Sequence, residues 1–286
     1  FLAQGYEVVV VDDLSNGSLK NLNPKAKFYE VDIRRPELAD IFAAERPDFV
    51  DHHAAQIDVR LSFEKPGYDA DVNIVGTLNL LECAVRFDVK KFIFISSGGA
   101  VYGEPEYLPC DEAHPIKPLC PYGVSKYAVE HYLYLYKENY GLDYTIFRYA
   151  NVYGPRQDPH GEAGVVAIFA EQMLKGDQVT INGSGEQVRD FVYVEDCVAA
   201  NLLAIENGSG QIYNLAAGVG TSVNEIFEAL AEITDYERDP YHGPAKLGET
   251  FCIYLTAEKA RQALGWEPTV ALDEGLRRTV AYFSQK

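Results

Sequence analysis

Short apolar segments recur along this chain of 286 residues, and several are separated by amphipathic segments of helical length. Each apolar segment is typical of a strand that is buried on both faces of a sheet. Strands that alternate with helices pair in parallel, and the helices cover both faces of the sheet. The sequence therefore predicts an α/β fold with a doubly wound parallel sheet. The predicted strands are EVVVVD (7–12), KFYEVDI (27–33), FVDHHAA (49–55), KFIFISS (91–97), YTIFRYANV (144–152) and QIYNLAA (211–217).

The pattern changes from about Gly154, where turns and short strands replace the regular alternation. This change predicts a second, smaller lobe. We expect residues 1–153 to form the first domain and residues 154–286 mainly the second. The segment 189–217 is typical of a return to the first domain, so we expect the two lobes to be interleaved. The helices predicted in the second lobe are near 222–235, 256–264 and 271–284.

Charge and cysteine content narrow the classes of function. Lys and Arg total 25 against 43 Asp and Glu, a net charge of −18, which argues against nucleic acid or an anionic membrane as a partner. The five cysteines show no metal-ligand spacing, so neither a disulfide framework nor a bound metal is expected. No apolar run reaches the roughly 18 residues of a membrane span. We therefore expect a soluble, cytoplasmic protein.

The end of the first predicted strand carries a candidate nucleotide ligand. In an open parallel sheet, an acidic residue ending the second strand binds the adenosine ribose, about 20 residues after a Gly-rich phosphate turn. Asp12 suits this role, although Asp also commonly caps or turns a chain. The residues before Asp12 leave no room for the Gly-rich turn, so we expect the protein to extend before Phe1. The negative charges of Asp12 and Asp13 would favour NAD over NADP.

The stretch PYGVSK (121–126) sets Tyr122 four residues before Lys126 in a segment of helical composition. Residues i and i+4 share a helix face, so the ammonium group is expected to lower the pKa of the phenol and make it a usable base. A tyrosine and a lysine can also share a helix by chance. The strand KFIFISS strengthens the functional interpretation, because Ser96 and Ser97 end it at the sheet edge where such folds bind ligands.

Together with further motifs, this stretch resembles the extended short-chain dehydrogenases/reductases, and within them the nucleotide-sugar epimerases of the NAD-dependent epimerase/dehydratase family. The resemblance covers nearly the whole chain, and the combination of motifs is more specific than any one of them. The additional motifs are HHAAQIDVRLSF (52–63), DVNIVGTLNLLE (71–82), SSGGAVYGE (96–104), RYANVYGPRQ (148–157), GEQVRDFVYVED (185–196) and LGWEP (264–268).

The resemblance implies a Rossmann-like domain that holds NAD and a substrate lobe that binds a UDP-hexose. It implies interconversion of UDP-glucose and UDP-galactose through a transient 4-keto sugar. Tyr122 would be the base, Lys126 would hold the nicotinamide ribose, and Ser97 would bind the 4-oxygen. The implied cofactor-binding residues are Asp12, Asp32, Ile33, Ala54, Ala55, Gln56, Asn73, Ser96, Tyr122, Lys126 and Tyr149. The implied substrate-binding residues are Ser97, Asn151, Arg189 and Lys246.

The chain departs from the family pattern at several positions. Gly98 stands where the family has Ser or Thr, so Ser97 is the candidate hydroxyl and the choice between it and Ser96 stays open. Family dehydratases carry Asp-Glu where this chain has Gly99 and Ala100, which disfavours elimination of water. Lys246 replaces an arginine expected to bind the diphosphate, and a lysine cannot grip two oxygens at once. Thr256 replaces a customary Asp.

Several alternatives stay open at this point. The chain could be another nucleotide-sugar epimerase, a 4,6-dehydratase, or a catalytically silent fragment that binds a sugar nucleotide. Arg189 could form an ion pair with Asp190 or Glu195 instead of binding phosphate. The helices predicted over 69–87 and 122–140 resemble a family dimer interface, so a homodimer is expected, although the tyrosines of the second helix could face the chain's own core.

Overall fold

Parallel strands dominate the first half of the chain. The computed structural model describes residues 1–160, 164–245 and 250–285. Runs of β-branched and aromatic residues form its longer strands, as their side chains fit a pleated, buried surface. The strands are β1 (Val9–Asp12), β2 (Lys27–Glu30), β3 (Phe49–His52), β4 (Lys91–Ser97), β5 (Asp143–Tyr149), β6 (Asn151–Tyr153), β7 (Thr180–Asn182), β8 (Val188–Tyr193), β9 (Gln211–Leu215), β10 (Gly220–Ser222) and β11 (Tyr241–Gly243).

Local signals fix several helix ends. The longest helix begins with Pro121, which has no backbone N–H to leave unpaired, and Gly141 ends it in the left-handed conformation. Short 3-10 turns occur at Leu2–Gln4 and Leu19–Asn21. The α-helices are α1 (Leu38–Glu45), α2 (Val59–Glu64), α3 (Pro66–Ala70), α4 (Gly76–Arg86), α5 (Gly98–Val101), α6 (Pro121–Tyr140), α7 (Val165–Lys175), α8 (Val194–Ala204), α9 (Val223–Thr234), α10 (Glu258–Leu264) and α11 (Leu272–Phe283).

The helix predicted over 69–87 is not continuous. It begins earlier, at Pro66, and a π-helical turn over Asp71–Val75 separates α3 from α4. Such turns occur frequently at functional sites. Here the π turn contains Asn73, a buried residue whose side chain binds a neighbouring loop. Hydrophobic periodicity reveals neither this turn nor the contact of Asn73.

The central sheet contains β3, β4, β5 and β9, paired in parallel in that order. β1 and β2 pair in parallel with each other in a separate sheet. Along β4, Phe92 and Phe94 pack into one hydrophobic core, whereas Ile93 packs into another. The sheet is thus buried on both faces, and the prediction of a doubly wound parallel α/β fold is confirmed.

A second hydrophobic region lies among later elements. Helices α7, α9 and α11 share a core that includes Phe169, Ile226 and Leu276. β8 pairs with β6 and β10 rather than with the central sheet, whereas β9 joins β5, so only part of the segment 189–217 returns to the first sheet. The exact domain boundaries stay a prediction. No helix within the described parts of the chain is both long and apolar enough to cross a membrane.

Candidate active site

Tyr122 and Lys126 lie in the first two turns of α6. Their helix packs against β4, and the Lys126 Nζ donates a hydrogen bond to the backbone oxygen of Ile95 at 2.8 Å. The same Nζ lies 5.9 Å from the centre of the Tyr122 ring and 4.9 Å from that of Phe94. The helix therefore brings a phenol and a buried ammonium group together near the carboxyl end of β4.

Burial controls the protonation of this pair. It lowers the pKa of Lys126 to about 8, and the neighbouring carboxylates of Asp69 and Glu130 act in the opposite direction. Burial also raises the pKa of Tyr122, opposed by a hydrogen bond with the Ser97 side chain. The prediction that Lys126 leaves this phenol with a lowered pKa is therefore wrong for this structure, because removal from water penalises the phenolate more than its neighbours stabilise it.

The two serines at the end of β4 have different partners. The side chain of Ser97 lies close enough to that of Tyr122 to lower the pKa of the phenol, against the effect of burial. The Ser96 hydroxyl instead donates to Glu130 Oε1 at 2.6 Å and is buried. Successive strand residues point to opposite faces, which separates the two side chains. Ser97 therefore supplies the hydroxyl beside the phenol, whereas the Ser96 hydroxyl is bound to Glu130. The contact of Ser96 with the cofactor stays a prediction.

Packing explains the glycine that follows. A Cβ atom on Gly98 would overlap Cδ1 of Leu255 and would lie 3.3 Å from the backbone oxygen of Tyr149. Leu255 is itself buried in the core behind this turn. A larger residue is therefore excluded at position 98 unless Leu255 moves, and the hydroxyl must come from a neighbouring position.

The side chain of Asn73 holds the loop that follows β3. Asn73 Oδ1 accepts the backbone N–H of Gln56 at 2.8 Å, and Asn73 Nδ2 donates to the Gln56 backbone oxygen at 2.9 Å. These bonds satisfy both backbone groups of Gln56 and hold the adjoining Ala54 and Ala55. The predicted cofactor loop is therefore anchored to the π turn.

The predicted adenosine contacts lie after β1 and β2. Asp12 ends β1, and its Oδ1 accepts the backbone N–H of Leu14 at 2.7 Å. Arg34 donates hydrogen bonds from Nε and Nη2 to the carboxylate of Asp32. These bonds lower the pKa of Asp32. Ile33 is buried in the core. The contacts of Asp32 and Ile33 with an adenine ring stay a prediction.

The chemistry of these groups fits the ribose ends of a dinucleotide. An ammonium group has three N–H donors, and one of those of Lys126 is bound by Ile95. The remaining donors and the phenol of Tyr122 can bind neighbouring hydroxyls. Asp12, at the end of a parallel strand, offers an acceptor for another pair of hydroxyls.

Tyr149 ends β5 beside this region. Its hydroxyl accepts a hydrogen bond from Asn201 Nδ2, and burial raises its pKa strongly. Its ring centre lies 6.4 Å from that of His53. The residue is therefore a neutral, fixed wall of the site rather than a proton carrier.

The predicted substrate residues come from several elements. Asn151 begins β6, and its Oδ1 lies 3.4 Å from where a Cβ of Gly99 would stand. Arg189 donates from Nη1 to the backbone oxygen of Val188 at 2.8 Å. Lys246 lies outside the described residues.

The acidic residues considered as partners of Arg189 have other contacts. The Asp190 carboxylate accepts hydrogen bonds from the backbone N–H groups of Ala217 and Gly218. Glu195 forms an ion pair with Arg278 at 3.3 Å. Whether Arg189 forms an ion pair or binds the substrate diphosphate stays a prediction.

The sequence motifs did not indicate two acidic residues near the site, Glu130 and Asp69. Glu130 follows Lys126 by one helical turn, and this spacing could have indicated its position. Asp69 precedes Asn73 by four residues, but its burial within the site follows only from the fold. Within the described ranges, no group of three His, Cys, Asp or Glu side chains could hold a metal ion.

The chain is similar to known proteins over almost its whole length. A model of the NAD dependent epimerase/dehydratase family matches residues 1–216. Over 279 residues the chain is 48% identical to a putative UDP-glucose 4-epimerase of Methanocaldococcus jannaschii, covering 98% of this chain and 91% of that protein. These matches confirm the resemblance that the sequence motifs indicated.

Solved structures give the same result. A UDP-glucose 4-epimerase of Thermotoga maritima with UDP-glucose is 51% identical, with a TM-score of 0.98 over 99% of this chain and 93% of that one. A UDP-glucose 4-epimerase of Thermus thermophilus in complex with NAD is 43% identical, with a TM-score of 0.94 over 99% and 92%. Both structures support the fold class derived above.

Proposed function

The chain belongs to the NAD-dependent epimerase/dehydratase family, and from this premise we propose that it is a UDP-glucose 4-epimerase that interconverts UDP-glucose and UDP-galactose. The observation that carries the proposal is the cluster of Tyr122, Ser97 and Lys126 at the carboxyl end of β4. Relatives that bear this name cover almost the whole chain. A role in galactose metabolism follows from this activity.

The proposed chemistry assigns one task to each side chain. Tyr122 removes the proton of the sugar 4-hydroxyl and later returns it to the 4-oxygen. Ser97 binds that oxygen, and Lys126 supplies a positive charge beside the phenol. Because burial raises the pKa of Tyr122, proton removal depends on this positive charge. A bound NAD would supply the hydride acceptor for C4 of the sugar and the hydride donor for the other face of the transient 4-keto sugar.

The other predicted residues complete the proposed site. NAD would be held by the loop of Ala54, Ala55 and Gln56, which Asn73 anchors, and by Asp12. Tyr149 would face the nicotinamide. The remaining cofactor-binding and substrate-binding residues proposed are Asp32, Ile33 and Ser96 for NAD, and Asn151, Arg189 and Lys246 for the substrate diphosphate.

Elimination of water from the sugar is disfavoured. A dehydratase needs a further acid and base beside the active hydroxyl, and α5 has only Gly98, Gly99, Ala100 and Val101 in this region. Oxidation at C4 followed by reduction is the chemistry that the remaining groups support. A stable 4-keto-6-deoxy product from the assay would overturn this assignment.

A homodimer and a cytoplasmic location are also part of the proposal. Val124, Tyr134 and Leu135 on α6 are about half exposed, and such apolar area on one helix suits a helix-packed interface. Cys83, Cys110, Cys120, Cys197 and Cys252 are free thiols, which suits a reducing compartment. Sedimentation of the Val124→Glu, Leu135→Glu double variant as a monomer, beside a dimeric wild type, would support the dimer, and a monomeric wild type would refute it.

The function is tested by converting UDP-galactose with the purified protein and NAD. We expect UDP-glucose as the product, with activity lost in Tyr122→Phe. A protein that binds UDP-sugar but never reduces its NAD, measured by absorbance, would be a silent binder. Full activity in Tyr122→Phe would refute the role given to the phenol.

A further inference from the structure

Asp69 is a buried carboxylate whose hydrogen-bond partners among the described residues are neutral. Its side chain is in α3, the residue is 1% exposed, and burial raises its pKa. Its Oδ1 accepts hydrogen bonds from Gln56 Nε2 at 2.9 Å and from Asn73 Nδ2 at 3.1 Å. A charge in this position is costly unless it serves a partner, because burial removes its hydration.

The partners of Asp69 connect two parts of the site. Gln56 belongs to the loop proposed to bind NAD. Asn73 holds both backbone groups of Gln56 and also donates to Ser125 Oγ at 3.2 Å. Ser125 in turn donates to the backbone oxygen of Tyr122 at 2.9 Å. Asp69 therefore closes a network that joins the cofactor loop to the first turn of the catalytic helix.

Asp69 also lies on the side of α6 that carries Lys126, because α3 packs against α6 and the network of Asp69 reaches Ser125, the residue before Lys126. Its charge raises the pKa of Lys126. Glu130 is the other carboxylate that raises the pKa of Lys126, but Arg148 binds both oxygens of Glu130 and offsets its charge. In the described part of the chain, Asp69 has no such cationic hydrogen-bond partner, so its charge stays available to the ammonium group. The titratable groups that surround Lys126 are Asp69 from α3, His52 from β3, and Tyr122 and Glu130 from α6, with Arg148 of β5 behind Glu130.

We propose that Asp69 is a positioning residue of the epimerase: it fixes the loop of Gln56 against α6, and its negative charge keeps Lys126 an ammonium ion. This inference rests on the proposed function. Asp69 does not touch the reacting atoms in this role. It acts through Lys126 and through the loop.

The test separates charge from hydrogen bonding. Asp69→Asn keeps an oxygen acceptor for Gln56 and Asn73 but removes the charge, whereas Asp69→Ala removes both. Lys126 is titrated by NMR in protein carrying [ε-13C]lysine, with its signal assigned by its loss in Lys126→Met. In Asp69→Asn we expect the Lys126 midpoint to fall by roughly one pH unit. The alkaline limb of the epimerase pH profile should move to lower pH by a similar amount.

The affinity for NAD, measured by calorimetry, shows whether the loop of Gln56 keeps its position. Asp69→Asn is expected to bind NAD as the wild type does, and Asp69→Ala about 10-fold more weakly. The matched control is Asp196→Asn, a buried carboxylate on α8 that accepts hydrogen bonds from Thr269 and Val270 and should change neither readout. An unchanged Lys126 midpoint in Asp69→Asn overturns the proposal.

A second variant and a readout that needs no substrate complete the test. If Asp69→Asn fails to fold, judged by thermal unfolding, Asp69→Ser removes the same charge with a smaller side chain and is titrated instead. If the wild type does not convert UDP-galactose, the proposed function fails. The Lys126 titration still decides whether Asp69 supplies the charge, because it needs no substrate.

Discussion

Arg148 binds Glu130 through both carboxylate oxygens, with Nε 3.0 Å from Oε1 and Nη2 2.6 Å from Oε2. Their side chains are only 4% and 2% exposed. Ser96 donates to the same carboxylate, and Arg148 Nη1 donates to the hydroxyl of Tyr102 at 3.0 Å. Because Glu130 lies on α6 and Arg148 on β5, the ion pair ties the helix that carries Tyr122 to the centre of the sheet.

Removal of one partner of this ion pair is expected to be severe. Arg148→Met leaves a buried carboxylate without its counter-ion, so we expect the free energy of unfolding to fall by about 3–5 kcal/mol. The double variant Glu130→Gln, Arg148→Met removes both charges and should be more stable than Arg148→Met alone. Urea unfolding followed by circular dichroism measures both differences.

The control for this prediction is Arg278→Met. Its ion pairs with Glu195 and Glu274 are exposed, so the loss should be about 1 kcal/mol or less. A double variant less stable than Arg148→Met would contradict the role assigned to the buried pair.

Ser97 is expected to act in the reaction rather than in folding. Ser97→Ala removes the hydroxyl that accompanies Tyr122, and loss of one donor to a developing oxyanion typically costs about 10²-fold in rate. We therefore expect kcat for UDP-galactose to fall by about that factor, with little change in the melting temperature. Ser209→Ala, in a turn where the hydroxyl binds Asp143, is the matched control and should keep the wild-type kcat. Wild-type kcat in Ser97→Ala would exclude this hydroxyl from the reaction.

Gly98 and Gly99 are expected to respond differently to the same substitution. A Cβ on Gly98 overlaps the buried Leu255, whereas a Cβ on Gly99 meets its nearest atom, Oδ1 of Asn151, at 3.4 Å. Overpacking of a core typically costs about 1–3 kcal/mol, so Gly98→Ala should be destabilised by that amount and Gly99→Ala should not. Thermal unfolding measures both, and Gly98→Ala combined with Leu255→Ala should lose less than the sum of the two single variants. Equal effects of the two alanines would contradict the overlap.

Local signals account for the parts of the fold that the sequence predicted well. The strand over 91–97 has the same bounds in the structure, because a run of large apolar residues buried on both faces leaves few alternatives. The helix predicted over 122–140 begins one residue earlier, at Pro121, and ends before Gly141. The helix predicted over 69–87 differs in detail, because it begins at Pro66 and contains a π turn over Asp71–Val75 that hydrophobic periodicity does not reveal.

In the site, too, features set by local sequence were predictable and features set by distant segments were not. The pairing of Tyr122 with Lys126 follows from helical spacing, so the sequence was sufficient to predict it. The direction of the phenol's pKa was not predictable, because it depends on burial by segments that are distant in sequence. The same holds for Asp69, whose partner Gln56 comes from a loop that only the tertiary fold brings close.

The lowered pKa of Lys126 is expected to appear in the pH dependence of stability. The folded state has a pKa of about 8 at this residue, against 10.5 for a lysine in water. Between these values the unfolded chain holds a proton that the folded chain has lost, so this residue makes the free energy of unfolding rise with pH. The slope is about 1.4 kcal/mol per pH unit at most, and it vanishes below the folded pKa, where both states are protonated. Urea unfolding of the wild type and of Lys126→Met between pH 7 and 10.5 gives the difference between the two proteins, in which groups common to both cancel. The free energy of unfolding of the wild type should rise relative to that of Lys126→Met as the pH rises above 8. A difference that stays constant across this range would show that the ammonium group does not titrate there.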